Sequence, residues 1–382
     1  MPTRPLITIA LLFVASFSIS AQSYYPPPER KGTWRMCKND AEVRNLAAMD
    51  PDKLRLIGMR QTQVYGGPWQ IVIVRKGYMV SEWFGVPAMP GTTFDAWSCT
   101  KSATGIAYGF LLDDSRHNRL PQGTKVDLDT RVMELIPEAQ LLTDERKKQI
   151  RLRHLLTMTS GIKGESHGLI GLAVGAGGGD YEIALGKEPN RYGISAARLF
   201  ADPGTSFEYS DAAFAHLSLL FFHLTGREIA DVMEERVFAP LGIENVHWDR
   251  QGGGGKIGPH TNAHSGFHIA ARDFARLGYM LAHGGIWEGK EIVPKWWLDL
   301  ATRSSQQILS TYGYTFWVNT SAELWPSAPR DAFAFRGYAA TRCYVIPSLD
   351  LVVVRLGFTP PNWGEESLLP DVLDAVLDRP KK

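Results

Sequence analysis

Two apolar hairpin patterns, one near each end of the chain, constrain the fold more than any other feature of the sequence. "WQIVIVRKGYMVSEWFG", residues 69–85, alternates apolar and polar side chains about Lys76-Gly77, the pattern of an antiparallel hairpin. "TRCYVIPSLDLVVVRLG", residues 341–357, reads as two further strands joined at Pro347-Ser348-Leu349-Asp350. The stretches between them follow a helical period: Ser98 to about Leu112, Ile150 to about Leu156, Ser195 to Phe200 and Ala212 to Leu224. "GFHIAARDFARLGYMLAHGG" is a further amphipathic helix ended by Gly284-Gly285, and "EESLLPDVLDAVLD" closes the chain as a helix. Strands from both ends with helices between them imply one sheet built from both termini. The expected fold class is α+β, an antiparallel β-sheet flanked by helices with an inserted, mostly helical region. The sheet region is expected from 61–115 plus 265–382 and the insertion from 116–264, together one catalytic domain.

A chain of 382 residues can bury a large core. A formal charge of +1, with no run of basic residues, no zinc-type cysteine spacing and no Walker loop, gives no reason to expect a polyanionic partner. No nucleic acid is expected. "MPTRPLITIALLFVASFSISAQ" joins an early arginine, Arg4, to an apolar run and small residues at Ser18, Ser20 and Ala21, the pattern of an export signal over 1–21. The run is shorter than the ~20 residues a span needs, so no stable membrane span is expected once the signal is cut. Residues 22–60 read as a lead-in whose "SYYPPPERKG" is extended and loosely held. Cys37, Cys99 and Cys343 are odd in number, so at most one disulfide can form. "GLIGLAVGAGGGDYEIALG" reads as a mobile, glycine-rich surface loop near the ligand, without the strand-to-helix context of a phosphate loop.

Chemistry enters at "FDAWSCTKSATGIAYGF", residues 94–110. Ala103, Ile106, Ala107, Phe110 and Leu111 form one apolar stripe, and the opposite side is scarcely more polar, so this helix is enclosed all round. Ser98 and Lys101, three apart, share one face at its first turn. A serine hydroxyl needs a base within hydrogen-bond reach, which a desolvated lysine can supply, and the helix N-terminus favours a developing oxyanion. The competing reading is structural: Ser98 caps the helix and Lys101 snorkels to water. A second stretch, "PGTSFEYSDAAFAHLSLL", places Tyr209-Ser210-Asp211 directly before an apolar helix, where Ser210 or Asp211 suits an N-cap.

With Ser98 and Lys101, that second stretch resembles the serine β-lactamase and penicillin-binding protein superfamily. It is most similar to the class C-like branch of β-lactamases, D-alanyl-D-alanine peptidases, esterases and 6-aminohexanoate-oligomer hydrolases. "IRLRHLLTMTSGI", "VFAPLGIENVHWD", "ARDFARLGYMLAHGGIWEGKEIVP" and "YVIPSLDLVVVRLG" support the resemblance, which runs from roughly Gln70 to Leu377. It implies that Ser98 is acylated, that Lys101 is its proton partner and that Tyr209 activates the hydroxyl or protonates the leaving group. Lysine and tyrosine then titrate as a coupled pair. No metal or cofactor is implied. His154, His260 and His264 offer a serine–histidine alternative, which the lack of a Gly-x-Ser-x-Gly elbow disfavours.

Two departures qualify the resemblance. Asp211 stands where the family usually has Asn, and its carboxylate can pair with Lys101, hold it charged and shift the burden of base to Tyr209. The family's third motif, usually Lys-Thr-Gly, falls in "FAFRGYAATRCYVIP". Aligning Gly337 with the motif glycine puts Phe335 and Arg336 ahead of it and makes the Tyr338 N–H the second oxyanion donor beside that of Ser98. A one-residue shift instead puts Arg336 at the lysine position and Ala339 at the donor. The first register is preferred, because glycine permits close backbone approach. Phe335 and Arg336 are candidate substrate contacts; Phe335 cannot hold a substrate carboxylate, whereas Arg336 can if its side chain points correctly. The expectation is therefore an exported serine hydrolase acting on a small ester or amide substrate. The alternatives are a β-lactamase or D-alanyl-D-alanine carboxypeptidase and, from another class, a non-catalytic ligand-binding or sensor protein of the same fold. Oligomeric state is not legible.

Overall fold

In the computed structural model, which describes residues 24–64, 67–137, 144–162, 164, 199–251, 260–358 and 367–379, the two hairpins share one sheet. In chain order the strands of the two principal sheets are β1 (Trp69–Arg75), β2 (Tyr78–Gly85), β3 (Phe94–Asp95), β4 (Val246–Trp248) and β5 (Phe267–Ile269), followed by β6 (Trp317–Val318), β7 (Phe333–Arg336), β8 (Arg342–Ile346) and β9 (Leu351–Gly357). The main sheet has the order β6-β7-β8-β9-β1-β2, antiparallel throughout, and a small sheet has the order β3-β5-β4. Lys76 and Gly77 both take positive φ, 50° and 73°, the two-residue turn that suits the strand twist. β1 and β9 pair from Trp69↔Gly357 to Arg75↔Leu351, which joins the two ends of the chain.

The principal helices are α1 (Asp40–Asn45), α2 (Pro51–Val64), α3 (Cys99–Arg116), α4 (Leu152–Leu156), α5 (Asp211–Thr225), α6 (Ala271–Ala282), α7 (Lys295–Ala301) and α8 (Leu368–Asp374). Both faces of the sheet are covered. Val72, Val74, Phe335, Val345 and Val354 pack with α3 and α6, while Ile71, Ile73, Tyr344 and Val353 pack with α2 and α8. The expected apolar–polar alternation does not hold in β1: burial on both faces makes β1 and β9 nearly continuous Val/Ile/Leu runs.

α3 is buried along Cys99 to Leu112, as its all-round apolar pattern implies. It runs one turn beyond the expected end, because Asp113 and Asp114 there bond Trp296 and Arg119. Two of its glycines are contact points. A Cβ at Gly105 would fall 1.9 Å from Thr315 Oγ1, and one at Gly109 would fall 2.2 Å from Trp297 Cδ1.

The lead-in departs from expectation. From Tyr24 on it is pinned rather than loose: Arg276 donates to Pro26 O at 2.9 Å and to Glu29 at 2.8 Å, and Arg272 to Glu29 at 3.0 Å. Trp34 is buried and donates from Nε1 to Arg272 O. α1 and α2 follow, so 22–60 already contributes to the core on the α8 side of the sheet. None of the three cysteines is disulfide-bonded. The export signal, the glycine-rich stretch and most of 195–200 lie outside the described residues, and among those described no helix is long and apolar enough to cross a membrane.

Gly109→Ala tests the close approach of α3 and α7. Alanine would gain up to ~1 kcal/mol of helix propensity, but the Trp297 ring is fully buried and cannot retreat, so overpacking of roughly 1–3 kcal/mol wins. Chemical denaturation should show a net loss of stability; a gain would contradict the packing described.

Candidate active site

Ser98 occupies the N-cap position of α3 without capping it. Its backbone is helical, φ −66° and ψ −4°, and its side chain makes no cap bond, which removes the purely structural reading of this serine. The residue before it, Trp97, holds φ +51°, a conformation that disfavours a side chain with a Cβ. Asp95 Oδ1 fixes this turn by accepting the Trp97 N–H at 2.8 Å. The Ser98 hydroxyl is thereby aimed at Lys101, whose Nζ donates to Oγ at 3.0 Å.

Lys101 is 1% exposed, so it does not snorkel. Its ammonium donates to Ser98 Oγ and to the His264 carbonyl at 3.1 Å, and it forms an ion pair with Asp211 Oδ1 at 2.5 Å. An ion pair with a carboxylate held anionic favours the charged lysine. Asp211 can serve because Ser210 takes the capping role on α5, accepting the Ala213 N–H at 3.1 Å. Burial pushes the Asp211 carboxyl up, but Lys101 and His264 outweigh it and hold it well below the usual carboxylate range. Asp211 Oδ2 lies 3.3 Å from Nδ1 of His264, which is fully buried.

The acceptor carbonyl of His264 is itself positioned. Asn262 Oδ1 accepts the N–H groups of His264 and Ser265, and the Phe267 N–H donates to Thr100 Oγ1 at 3.2 Å. The Ala96 N–H donates to Phe267 O at 2.8 Å, so residues 262–267 are stitched along the entry to α3. Tyr209 completes the group: its ring centroid lies 4.7 Å from Lys101 Nζ and it stacks on Trp317 at 6.2 Å.

On the opposite wall, the turn after β7 lies against the residues preceding Ser98. A Cβ at Gly337 would fall 2.3 Å from Ala96 O and 3.1 Å from Trp97 Cβ, so this approach requires glycine. The turn closes on itself, with the Gly337 N–H on Thr341 O and Ala339 and Ala340 at φ 52° and 55°. Two buried arginines grip its carbonyls from behind. Arg342 donates to Gly337 O and Thr341 O, and Arg355 to Ala339 O, Gly357 O and Phe358 O. Burial, with help from Arg336, pushes the Arg342 guanidinium down to about 10. Tyr338 projects outward, 74% exposed, its ring edge-on to that of Trp97 at 5.4 Å.

Phe335 requires correction as a substrate contact. It is wholly buried between Phe274 and Phe316, because strand alternation turns it to the α6 side of the sheet. Arg336 points the other way, 4.7 Å from the Trp317 ring, and lines a cavity of about 460 Å³ with Trp325, Tyr344, Leu369 and Pro370. His154 and His260 are not near this group: His154 accepts the Arg151 N–H on α4, and His260 pairs with Glu228. Sequence reasoning missed the place of His264, Arg342 and Arg355. The signals were present, as single arginines inside the Val/Leu strands and as Asp211, whose extra charge demands a further donor.

The Asp211 carboxylate falls below its ordinary value of 3.8, so its contribution to folding is complete above about pH 4 and is lost as pH falls through the folded value. Asp211→Asn keeps an acceptor for Lys101 but removes the anion that favours the ammonium. The acid limb of any Ser98 acylation profile should move to lower pH by about one unit or more; an unmoved limb would show that the pair does not govern the proton.

A sequence model of the Beta-lactamase family matches residues 59–376. Unguisins hydrolase ungD' of Aspergillus campestris (strain IBT 28561) is 28% identical over 213 residues, which is 54% of this chain but only 36% of that relative's length. A Bacillus anthracis protein assigned as a 6-aminohexanoate-dimer hydrolase superposes with a TM-score of 0.65 at 18% identity, covering 94% of this chain and 91% of its own. EstCE1, a hydrolase with promiscuous acyltransferase activity, superposes with a TM-score of 0.62 at 16% identity, covering 85% and 98%. At these identities the superpositions establish the fold, an α+β architecture with an antiparallel sheet. The family match, over most of its length, establishes that the chain belongs to the Beta-lactamase family.

Proposed function

We propose that the protein is an exported serine hydrolase that cleaves a small ester or amide through an acyl-Ser98 intermediate. The observation that carries this reading is the buried Lys101 ammonium, ion-paired with Asp211, in contact with Ser98 Oγ and beside the Tyr209 ring. A charged lysine cannot accept the hydroxyl proton, so Tyr209, acting as its phenolate, takes it as Oγ attacks the carbonyl carbon. The N–H groups of Ser98 and Tyr338 stabilise the oxyanion. Collapse breaks the bond to the leaving alkoxide or amine, which receives the proton from Tyr209. Water then attacks the acyl carbon by the same steps in reverse, freeing Ser98. Export rests on the pattern of residues 1–21.

The third motif supports ester or amide over β-lactam. The position that carries the motif lysine is Phe335, and it is sealed in the core. The rim formed by Trp97 and Tyr338 is aromatic and exposed, which favours apolar or aryl substrates. A second reading, a D-alanyl-D-alanine carboxypeptidase or β-lactamase, draws support from Arg336, a guanidinium suited to a substrate carboxylate.

A fluorophosphonate probe should label the wild type and leave Ser98→Ala unlabelled, and the variant should lose roughly 10³-fold or more in kcat. Equal labelling of both would remove the enzyme reading. In a panel of p-nitrophenyl esters, linear amides, nitrocefin and D-Ala-D-Ala peptides, esters or amides with apolar groups should lead. Preference for nitrocefin or the peptides would establish the second reading instead.

A further inference from the structure

On the outer side of the β3-β5-β4 sheet, His247 and His268 form a cross-strand pair. Their rings stack with centroids 4.1 Å apart and planes within 13°. Asp249, two residues beyond His247, presents its carboxylate to both: Oδ2 lies 3.1 Å from His268 Nε2 and Oδ1 lies 3.9 Å from His247 Nε2. One ligand atom from each residue lies within 4.8 Å of the other two. We infer that His247, Asp249 and His268 form a binding site for a divalent transition-metal ion, separate from the Ser98 centre.

The donor set selects the ion. Two imidazole nitrogens and one carboxylate suit Zn²⁺, Ni²⁺ or Cu²⁺, whereas Mg²⁺ and Ca²⁺ prefer all-oxygen sites. Zinc requires each Nε2 at ~2.0–2.1 Å in the plane of its ring, so the two stacked rings must tilt out of parallel to share one ion, and water completes the shell. All three side chains are at least partly exposed, which gives the ion an entry path.

The carboxylate is held ready by the backbone. Gly266, at φ +76°, lies so close beneath Asp249 that a Cβ there would fall 2.7 Å from Asp249 Cβ and 2.9 Å from Oδ2. The Asp249 N–H donates to Gly266 O at 2.8 Å, and the Gly266 N–H donates to Asp95 Oδ1. The site thus sits on the reverse of the 262–267 segment whose His264 carbonyl receives Lys101, and a bound ion would staple β4 to β5 there.

The test uses the full chain, stripped with EDTA and titrated calorimetrically with ZnCl₂ at pH 7.5. One saturable site is expected in the wild type and in Ser98→Ala, so the outcome is independent of the hydrolase reading. His247→Ala, His268→Ala and Asp249→Asn should each weaken it by at least about tenfold. At a hundredfold excess over Kd, zinc should raise Tm by roughly 3 °C in the wild type, and MgCl₂ should not. With Cu²⁺, electron paramagnetic resonance should report two nitrogen donors in the wild type and one in either histidine variant, a readout that does not depend on variant stability. Absence of a saturable site, or wild-type zinc affinity in both histidine variants, would overturn the assignment.

Discussion

A charged amine with almost no access to water is the constraint around which this structure is arranged. An ammonium in a low-dielectric interior is costly unless each N–H meets an acceptor and the charge meets an anion. For Lys101 those acceptors come from three places: Ser98 on its own helix, Asp211 at the start of α5 and the backbone of His264 before β5. The convergence of α3, α5 and the 262–267 segment is thus the condition for burying the lysine at all. It also leaves the serine hydroxyl as the one acceptor among the three that can react.

The sheet contributes the other wall by a comparable device. The turn 337–341 contains two alanines in left-handed conformations, which no local preference would sustain. Arg342 and Arg355 hold it by hydrogen-bonding its carbonyls, leaving its outward surface to Tyr338. Both arginines belong to strands of the hairpin that joins the C-terminal end of the chain to β1, so the geometry of the cleft rests on the pairing of the two termini.

Much of this was legible before any coordinates. The hairpins follow from their short apolar runs and the turns at Lys76-Gly77 and Pro347–Asp350, and the enclosure of α3 from an apolar pattern that leaves no polar face. Ser98 and Lys101 follow from helical spacing, but Tyr209 became a candidate only through resemblance, since nothing local ties it to α3. What failed was non-local. The proline-rich lead-in looks loose because its partners, Arg272 and Arg276, lie far along the chain. Phe335 looked like a cleft residue because alternation fixes relative faces without saying which face is the core. His264 reads in the sequence as a rival base, whereas in the structure its ring meets Asp211 and its carbonyl meets Lys101.

The central claim is that the lysine, the phenol and the serine act as one acyl-transfer unit. Rapid-quench mass spectrometry during turnover of an activated aryl ester tests it most directly. The account predicts a transient acyl adduct on the peptide that carries Ser98, forming as fast as the first equivalent of phenol is released. Turnover with no adduct on that peptide, or with the acyl group on another side chain, would contradict it.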